Sequence, residues 1–175
     1  LGYIGGVNWM YTKSIDRLGI HRMKMSDGPQ GLGTDGKSTA YPSTVTLAAT
    51  WNENLAYQYG KALGRDCRAR NVNVILGPAV NIYRAPMCGR NFEYFSEDPL
   101  LTGKFAAAIT KGVQKNRGCY VTLKHFCCNN QEDNRNKTNA NVNERALREI
   151  YLKGFEIAIT ESQPMSIMTS YNLIN

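Results

Sequence analysis

Short apolar runs alternate with amphipathic stretches along this 175-residue chain, and that alternation constrains its fold more than any other feature. Continuous apolar runs of this kind are typical of strands that are buried on both faces of a parallel sheet. A strict strand–helix order predicts right-handed βαβ units. The predicted strands cover residues 23–26, 73–76, 119–123 and 166–170.

Helix starts are predicted between these strands. Thr50 and Glu53 have the spacing of a capping box, and Asp98 followed by Pro99 predicts an N-cap and a first helical position. Asn141 is predicted to cap a further helix. Apolar residues at helical spacing follow each start and predict one buried face per helix. The predicted faces are Leu55, Tyr59, Ala62, Leu63 and Cys67, then Leu101, Phe105, Ala108, Ile109 and Val113, then Leu147, Ile150, Tyr151, Gly154, Phe155, Ala158 and Ile159.

The strand–helix pattern fits either a doubly wound sheet or a (β/α)₈ barrel, and two features favour the barrel. Polar residues follow three predicted strands, at Asp27, at 124–125 and at 171–172. In a barrel every strand delivers its carboxyl end to one common site. In addition, the 28–33 turn lacks the glycine spacing of a dinucleotide-binding loop and has no P-loop lysine. We therefore predict an α/β fold that comprises the N-terminal part, about four βα units, of a (β/α)₈ TIM-type barrel.

A complete barrel of this type has eight strands and typically needs about 250 residues. Four strands leave unpaired sheet edges, which isolated proteins avoid. Truncation is the simplest explanation, so we expect residues 1–175 to be one partial barrel domain of a longer chain.

Two loops near the strand ends carry groups that suit a polar ligand. Asp27 precedes a Gly-Pro turn, and a carboxylate there can accept strong hydrogen bonds from neighbouring hydroxyls. Arg90 lies in a long loop rich in polar and aromatic residues, and its guanidinium offers a rigid fork of donors. On local grounds alone, an ordinary turn is favoured for the first segment, and a surface loop with salt bridges is as good an interpretation of the second.

The last two strands end in further candidates. Lys124 and His125 sit together where the third strand ends, and the fourth strand carries Met168 and ends near Tyr171. A thioether and a phenol suit a sugar, which has apolar C–H faces as well as hydroxyls. The alternatives are a structural histidine and ordinary core packing.

Composition excludes several classes of function. The net charge is +7, but the basic residues are scattered singly among acidic ones, so a nucleic-acid-binding module is not favoured. An apolar run long enough to span a membrane is absent from the sequence. With two histidines and five cysteines that form no C-x-x-C pair, neither a metal site nor a disulfide framework is predicted.

Several segments together resemble family 3 glycoside hydrolases in order and spacing. The resemblance covers nearly the whole chain, and six segments in sequence are highly specific. They are MSDGPQG at 25–31, LGPAVN at 76–81, GRNFEYFSEDP at 89–99, LKHF at 123–126 with NNQE at 129–132, NERALREIYL at 143–152 and MTSYN at 168–172.

The resemblance implies a barrel followed by an α/β sandwich, and removal of β-linked glucose or xylose from non-reducing ends with retention. It implies no cofactor and no metal. In matching positions, Asp27 binds the sugar hydroxyls farthest from the cleaved bond, Arg90, Lys124 and His125 hold the remaining hydroxyls, and Met168 and Tyr171 line the pocket. No catalytic residue is implied within this segment, because the nucleophilic Asp and the acid/base Glu are expected beyond Asn175. The segment alone is therefore predicted to be inactive.

One departure separates branches of the family. Phe126 is followed by Cys127 and Cys128 rather than by the Pro-Gly-His-Gly of the N-acetylglucosaminidase branch, which favours the glucosidase/xylosidase side. We interpret the two cysteines as small lineage-specific residues. A non-catalytic carbohydrate-binding relative of the same fold is the alternative. The resemblance allows a periplasmic or secreted location, whereas unpaired cysteines favour the cytoplasm.

Overall fold

The computed structural model describes residues 10–33 and 38–175, which form a parallel sheet with helical crossovers. Four strands pair in chain order and all run parallel. They are β1 (Met25–Asp27), β2 (Val74–Ala79), β3 (Tyr120–Phe126) and β5 (Ser166–Thr169). Two short parallel strands, β4 (Asn139–Ala140) and β6 (Leu173–Ile174), form a separate pair.

Helices fill the connections between the strands. They are α1 (Thr44–Ala48), α2 (Glu53–Ala69), α3 (Pro99–Gln114), α4 (Glu144–Ala146) and α5 (Lys153–Ser162). Single 3₁₀ turns occur at Asp16–Leu18 and Asn91–Glu93, and a π-helical turn at Leu147–Tyr151 joins α4 to α5. α3 packs against both α2 and α5. Neighbouring crossovers thus place their helices side by side.

The strand order decides between the two predicted folds. A doubly wound sheet reverses its strand order at a switch point, whereas a barrel adds each strand beside the previous one. Here β1, β2, β3 and β5 follow one another without reversal. The predicted fold class, part of a (β/α)₈ TIM-type barrel, is confirmed.

The core lies between β2, β3 and the helices that cover them. Ile75, Val121 and Leu123 on the strands contribute to the same buried cluster as Phe105 of α3 and Phe155 of α5. Burying each such side chain is worth about 1.5–3 kcal/mol. This cluster fixes the strands relative to one another and so fixes their carboxyl ends.

Two of the predicted helix starts are wrong by a few residues. The N-cap of α2 is Asn52, whose side chain accepts a hydrogen bond from the Leu55 amide. Thr50 instead donates its hydroxyl to the Leu47 carbonyl, because it lies in the turn that follows the short helix α1. The cap of α4 is Asn143 rather than Asn141.

The third predicted cap is confirmed. Asp98 accepts a hydrogen bond of 2.7 Å from the Leu100 amide, and Pro99 occupies the first turn of α3.

Several expectations about burial are also wrong, including that for Ile150, which was predicted on a buried helix face but is exposed. The fourth strand was expected to be buried on both faces, but β5 is the edge of the described sheet and Ile167 is exposed. Leu55 was expected on the buried face of α2, but it is exposed, and Ala56 is buried in its place. Gly60 and Gly64 lie on the side of α2 that is in close contact with α3 and the turn that follows it.

Candidate functional site

Charged side chains meet where the parallel strands end. Lys124, near the end of β3, places Nζ 3.1 Å from Oε2 of Glu93 and 3.8 Å from Oδ1 of Asp27. The side chains of Lys124 and Glu93 are each 3% exposed, whereas that of Asp27, at the end of β1, is 53% exposed. A buried ion pair therefore supports a carboxylate that solvent or a ligand can reach.

Arg90 joins the cluster through the same buried carboxylate. Its Nε lies 2.6 Å from Oε1 of Glu93, and one terminal nitrogen lies 4.0 Å from Glu132. Burial disfavours the charged guanidinium, but Glu93, Tyr94 and Glu132 outweigh that effect and raise the pKa of Arg90. Glu93 thus holds Arg90 with one oxygen and Lys124 with the other.

The local sequence explains why Arg90 and Glu93 face one another. Residues 91–93 form a 3₁₀ turn, and the Glu93 amide donates to the Arg90 carbonyl at 3.0 Å. Side chains three residues apart eclipse in a 3₁₀ turn. The turn is anchored where Thr44 donates to the Tyr94 carbonyl at 3.1 Å.

A tight turn aims Asp27 at the same place. A Cβ on Gly28 would lie 2.1 Å from the Gly31 carbonyl oxygen, and one on Gly31 would lie 2.2 Å from the Thr39 carbonyl oxygen. Both glycines also have positive φ, at 155° and 116°. The Gly33 amide then donates to the Asp27 carbonyl at 2.9 Å. Only glycine fits these two positions, so the chain folds back beside the carboxylate.

These groups border a cleft of about 370 Å³. That volume lies within the range of about 300–1,000 Å³ typical of small-molecule sites. Phe92, which is exposed, adds an aromatic ring to its lining. Among the described residues, the lining comprises Asp27, Gly28, Pro29, Gln30, Gly31, Gly33, Arg90, Phe92, Glu93 and Lys124.

His125 lies beside the cleft without lining it. The side chain of Asn81 accepts from the His125 amide at 2.8 Å and donates to its carbonyl at 2.9 Å, and its Oδ1 lies 3.3 Å from His125 Nδ1. Burial, then the charges of Arg90, Lys124 and Arg135, lower the pKa of His125 to about 2. The imidazole is therefore neutral at physiological pH.

The two candidates on and after β5 do not line the cleft. Tyr171 is 63% exposed, and its ring centroid is 4.7 Å from the guanidinium carbon of Arg135. Arg135 in turn lies 2.6 Å from Glu132, the residue near Arg90. Met168 is half-buried on β5 and does not line the cleft. The sugar-contact roles of His125, Met168 and Tyr171 stay predictions.

The structure thus brings together three of the six predicted site residues and adds two that were missed. Asp27, Arg90 and Lys124 share one cleft, and Glu93 and Asn81 hold them and His125 in place. The Arg-x-x-Glu spacing was the available signal for Glu93. It is too common in loops to be used without the 3₁₀ turn.

The described residues offer neither a metal-ligating cluster nor a membrane-spanning helix. Within residues 10–33 and 38–175, no group of three or more His, Cys, Asp and Glu side chains is placed to hold a metal ion. In the same ranges, no helix has the length and apolar character needed to cross a bilayer. All five cysteines lie in these ranges and are buried as free thiols.

Known proteins match this chain along nearly all of its length. The Glycosyl hydrolase family 3 N terminal domain matches residues 7–175. Thermostable beta-glucosidase B of Acetivibrio thermocellus is 44% identical over 186 aligned residues, which cover 99% of this chain and 24% of that protein. A beta-glucosidase of Ruminococcus albus is 48% identical, over 98% of this chain and 18% of that protein.

Solved structures give the same result. Beta-glucosidase 3B from Thermotoga neapolitana, in complex with glucose, is 47% identical with a TM-score of 0.89, over 94% of this chain and 24% of that one. Beta-glucosidase from Kluyveromyces marxianus, also in complex with glucose, is 44% identical with a TM-score of 0.92, over 95% of this chain and 21% of that one. The chain spans about a fifth to a quarter of the relatives it matches.

Fold and site together define part of a (β/α)₈-type barrel with a charged cleft at the carboxyl ends of its strands. The chain belongs to glycoside hydrolase family 3 and forms part of the N-terminal domain of that family.

Proposed function

We propose that the intact protein, encoded by the full reading frame around this segment, is a retaining, exo-acting β-glycosidase. It removes β-linked glucose or xylose from the non-reducing ends of oligosaccharides or glucosides. This segment supplies the subsite that binds the terminal sugar. The observation that carries the proposal is the cleft in which Asp27, Arg90 and Lys124 converge around the buried Glu93.

The cleft is chemically suited to a pyranose ring. The exposed carboxylate of Asp27 accepts hydrogen bonds from hydroxyls, whereas Lys124 and Arg90 can only donate. Such charge-assisted bonds are about twice as strong as neutral ones. Because Lys124 and Arg90 are already held by Glu93, little side-chain freedom is lost when the sugar binds. Phe92 offers an apolar ring to the C–H face of the sugar.

Catalysis itself requires groups outside this segment. A retaining glycosidase uses two carboxyl groups about 5–5.5 Å apart, one as nucleophile and one as acid and base. We expect the nucleophilic Asp and the acid/base Glu beyond Asn175, in the rest of the barrel and in a following α/β domain. The residues in this segment then place the anomeric carbon for attack. Hydrogen bonds that strengthen in the transition state lower the barrier.

A matched pair of carboxylate substitutions tests the proposal in the intact protein. Asp27→Ala should lower kcat/KM for 4-nitrophenyl β-glucoside by at least about 100-fold, because a charge-assisted contact to the ring is lost and the sugar is misplaced. Asp16→Ala, at an exposed carboxylate on the Asp16–Leu18 turn, is the control and should leave kcat/KM unchanged. NMR of the first-formed anomer should show the β configuration retained.

Three results would contradict this function. The first is an intact protein that binds glucose but hydrolyses neither the β-glucoside nor the β-xyloside, which would favour a non-catalytic relative. The second is an inverted first product. The third is an Asp27→Ala variant as active as the Asp16→Ala control.

A further inference from the structure

Two adjacent cysteines follow β3 directly and have no part in the proposed sugar contacts. Cys127 and Cys128 are 3% and 6% exposed, and both are free thiols. The Cys128 thiol donates to the Cys127 sulfur at 3.7 Å. Two thiols this close form a vicinal dithiol, which we define as the Cys127–Cys128 pair.

The vicinal dithiol follows residues of the sugar cleft closely along the chain, although neither cysteine lines the cleft. It comes two residues after His125 and three after Lys124 along the chain. The Cys127 carbonyl accepts hydrogen bonds from Ser170 at 2.9 Å and from Asn172 at 3.2 Å, which ties the end of β5 to the end of β3. A change in the backbone at this pair therefore shifts the strand end that carries Lys124.

The other side of the pair supports the same network. The Tyr94 hydroxyl donates to the carbonyl of Asn129, the residue after Cys128, at 2.9 Å. The side-chain amide of Asn129 donates to the Glu132 carboxylate at 3.1 Å, and the same carboxylate lies 4.0 Å from Arg90. The dithiol thus sits between the two chain segments that position Lys124 and Arg90.

Small molecules have a route to one of the sulfurs. Cys128 lines a second cavity of about 340 Å³, whose wall includes Arg84, Asn130, Gln131 and Tyr151. Cys67, Cys88 and Cys119 line neither this cavity nor the sugar cleft. Cys128 is therefore the thiol that a small molecule in this cavity can reach, although Cys88, at 9% exposed against 6%, is slightly more open to solvent elsewhere.

A disulfide between neighbours in sequence is strained. Consecutive Cα atoms lie about 3.8 Å apart across a trans peptide, below the usual range of about 4.4–6.8 Å for disulfides. Such strain makes a disulfide easy to reduce, and easily reduced disulfides are the labile or regulatory ones. Oxidation at this pair would be reversible.

We propose that the vicinal dithiol is an oxidative modification site, which small-molecule disulfides convert reversibly to a Cys127–Cys128 disulfide that disables the sugar cleft. One thiol of the pair attacks the small disulfide, forms a mixed disulfide and releases one thiol. The other thiol then attacks the sulfur of that mixed disulfide, closes the ring and releases the second thiol. One disulfide is reduced to two thiols while the protein loses two hydrogens, so atoms and electrons balance.

The test uses 2-hydroxyethyl disulfide on the intact protein, followed by alkylation under denaturing conditions and peptide mass mapping. The peptide with Cys127 and Cys128 should carry no alkyl group and weigh two hydrogens less than the reduced peptide. Dithiothreitol should restore two alkylatable thiols. Absence of this species, or oxidation only between Cys67 and Cys119, which are in hydrogen-bond contact, would overturn the proposal.

Activity gives the second readout, and this half rests on the proposed glycosidase function. Oxidation should lower kcat/KM of the wild type by about 100-fold, since misplacing a binding group by about 1 Å costs that much. Cys128→Ala should be insensitive to the oxidant, whereas Cys67→Ala should remain sensitive. A disulfide that forms without loss of activity refutes the link to the cleft. An intact protein without glycosidase activity would refute the proposed function. In that case the peptide mass mapping alone would test whether the Cys127–Cys128 disulfide forms.

Discussion

Glu93 shows how one buried side chain organises a site built from separate parts of the chain. Its two oxygens hold Arg90 at 2.6 Å and Lys124 at 3.1 Å. Without it, two cations would face one another in a buried setting, where an unpaired charge is costly. The carboxylate therefore positions both donors even though sequence reasoning assigned it no role.

Glu93→Gln tests this positioning role. Removing the negative charge should destabilise the intact protein by about 3–5 kcal/mol, the cost of breaking a buried ion pair, and should raise KM for a β-glucoside. Urea unfolding and steady-state kinetics measure the two effects. Glu97→Gln, an exposed carboxylate in the same loop, is the matched control. Equal stability of the two variants would show that Glu93 does not hold the cations.

His125 makes a prediction about pH. Burial and then the charges of Arg90, Lys124 and Arg135 lower its pKa from 6.5 to about 2. Between these values the unfolded chain binds a proton that the folded chain does not, so stability from this group is present above about pH 6.5 and is lost as pH falls towards 2. The slope is at most about 1.4 kcal/mol per pH unit.

His125→Asn should therefore flatten the dependence of unfolding free energy on pH below about 6.5, as measured by urea denaturation at a series of pH values. The same substitution at the exposed His21 is the control. An unchanged slope in His125→Asn, or an imidazole that titrates near neutral pH by NMR, would contradict a buried neutral histidine.

Helices and strands were predicted well where a single local sequence pattern determines them. The strands at Asn73–Leu76 and Cys119–Leu123 and the cap at Asp98 follow from local patterns, and the structure has them within a few residues. The capping residues of α2 and α4 were predicted wrongly because several polar residues that could cap a helix lie within a few positions of one another. Thr50 bonds to the end of the short helix α1, which sequence periodicity does not reveal.

Sequence reasoning predicted the site residues that lie at strand ends, but not the loop residues that position them. Asp27 and Lys124 lie at strand ends, so the fold class alone brings them together. The role of Glu93 depends on a 3₁₀ turn, and that of Asn81 depends on a hydrogen bond with the His125 backbone. Neither feature leaves a periodic signal in the sequence. Loop side chains acquire roles only once the scaffold places them.

Close packing of α2 against α3 depends on glycine. A Cβ on Gly60 would lie 2.2 Å from the Ile109 carbonyl oxygen, whereas one on Gly154 of α5 would lie no closer than 3.4 Å to Thr102. Alanine is favoured over glycine in a helix by about 1 kcal/mol, but overpacking costs about 1–3 kcal/mol. The steric cost of an alanine should therefore exceed its helix-propensity gain at Gly60, whereas the propensity gain should be the larger effect at Gly154.

Gly60→Ala should lower the unfolding free energy by about 1–3 kcal/mol, while Gly154→Ala should leave it unchanged or raise it by up to about 1 kcal/mol. Chemical denaturation of the two variants of the intact protein compares them directly. A stabilised Gly60→Ala variant would show that the two helices are not in contact at this position.

At the scale of the whole molecule, the sheet topology and the charge distribution together shape the cleft. Parallel strands in chain order deliver their carboxyl ends to a common edge. The chain carries a net charge of +7, yet the described cluster sets Asp27, Glu93 and Glu132 against Arg90, Lys124 and Arg135. The site is locally balanced, which suits the neutral sugar of the proposed function.

A structure of the intact protein bound to glucose tests this account most directly. We predict one pyranose ring in the cleft, with hydroxyls within hydrogen-bonding distance of Asp27, Arg90 and Lys124, and with Glu93 still between the two cations. Glucose bound elsewhere, or bound in the cleft without touching Asp27 and Lys124, would contradict the central claim that these strand ends form one sugar-binding subsite.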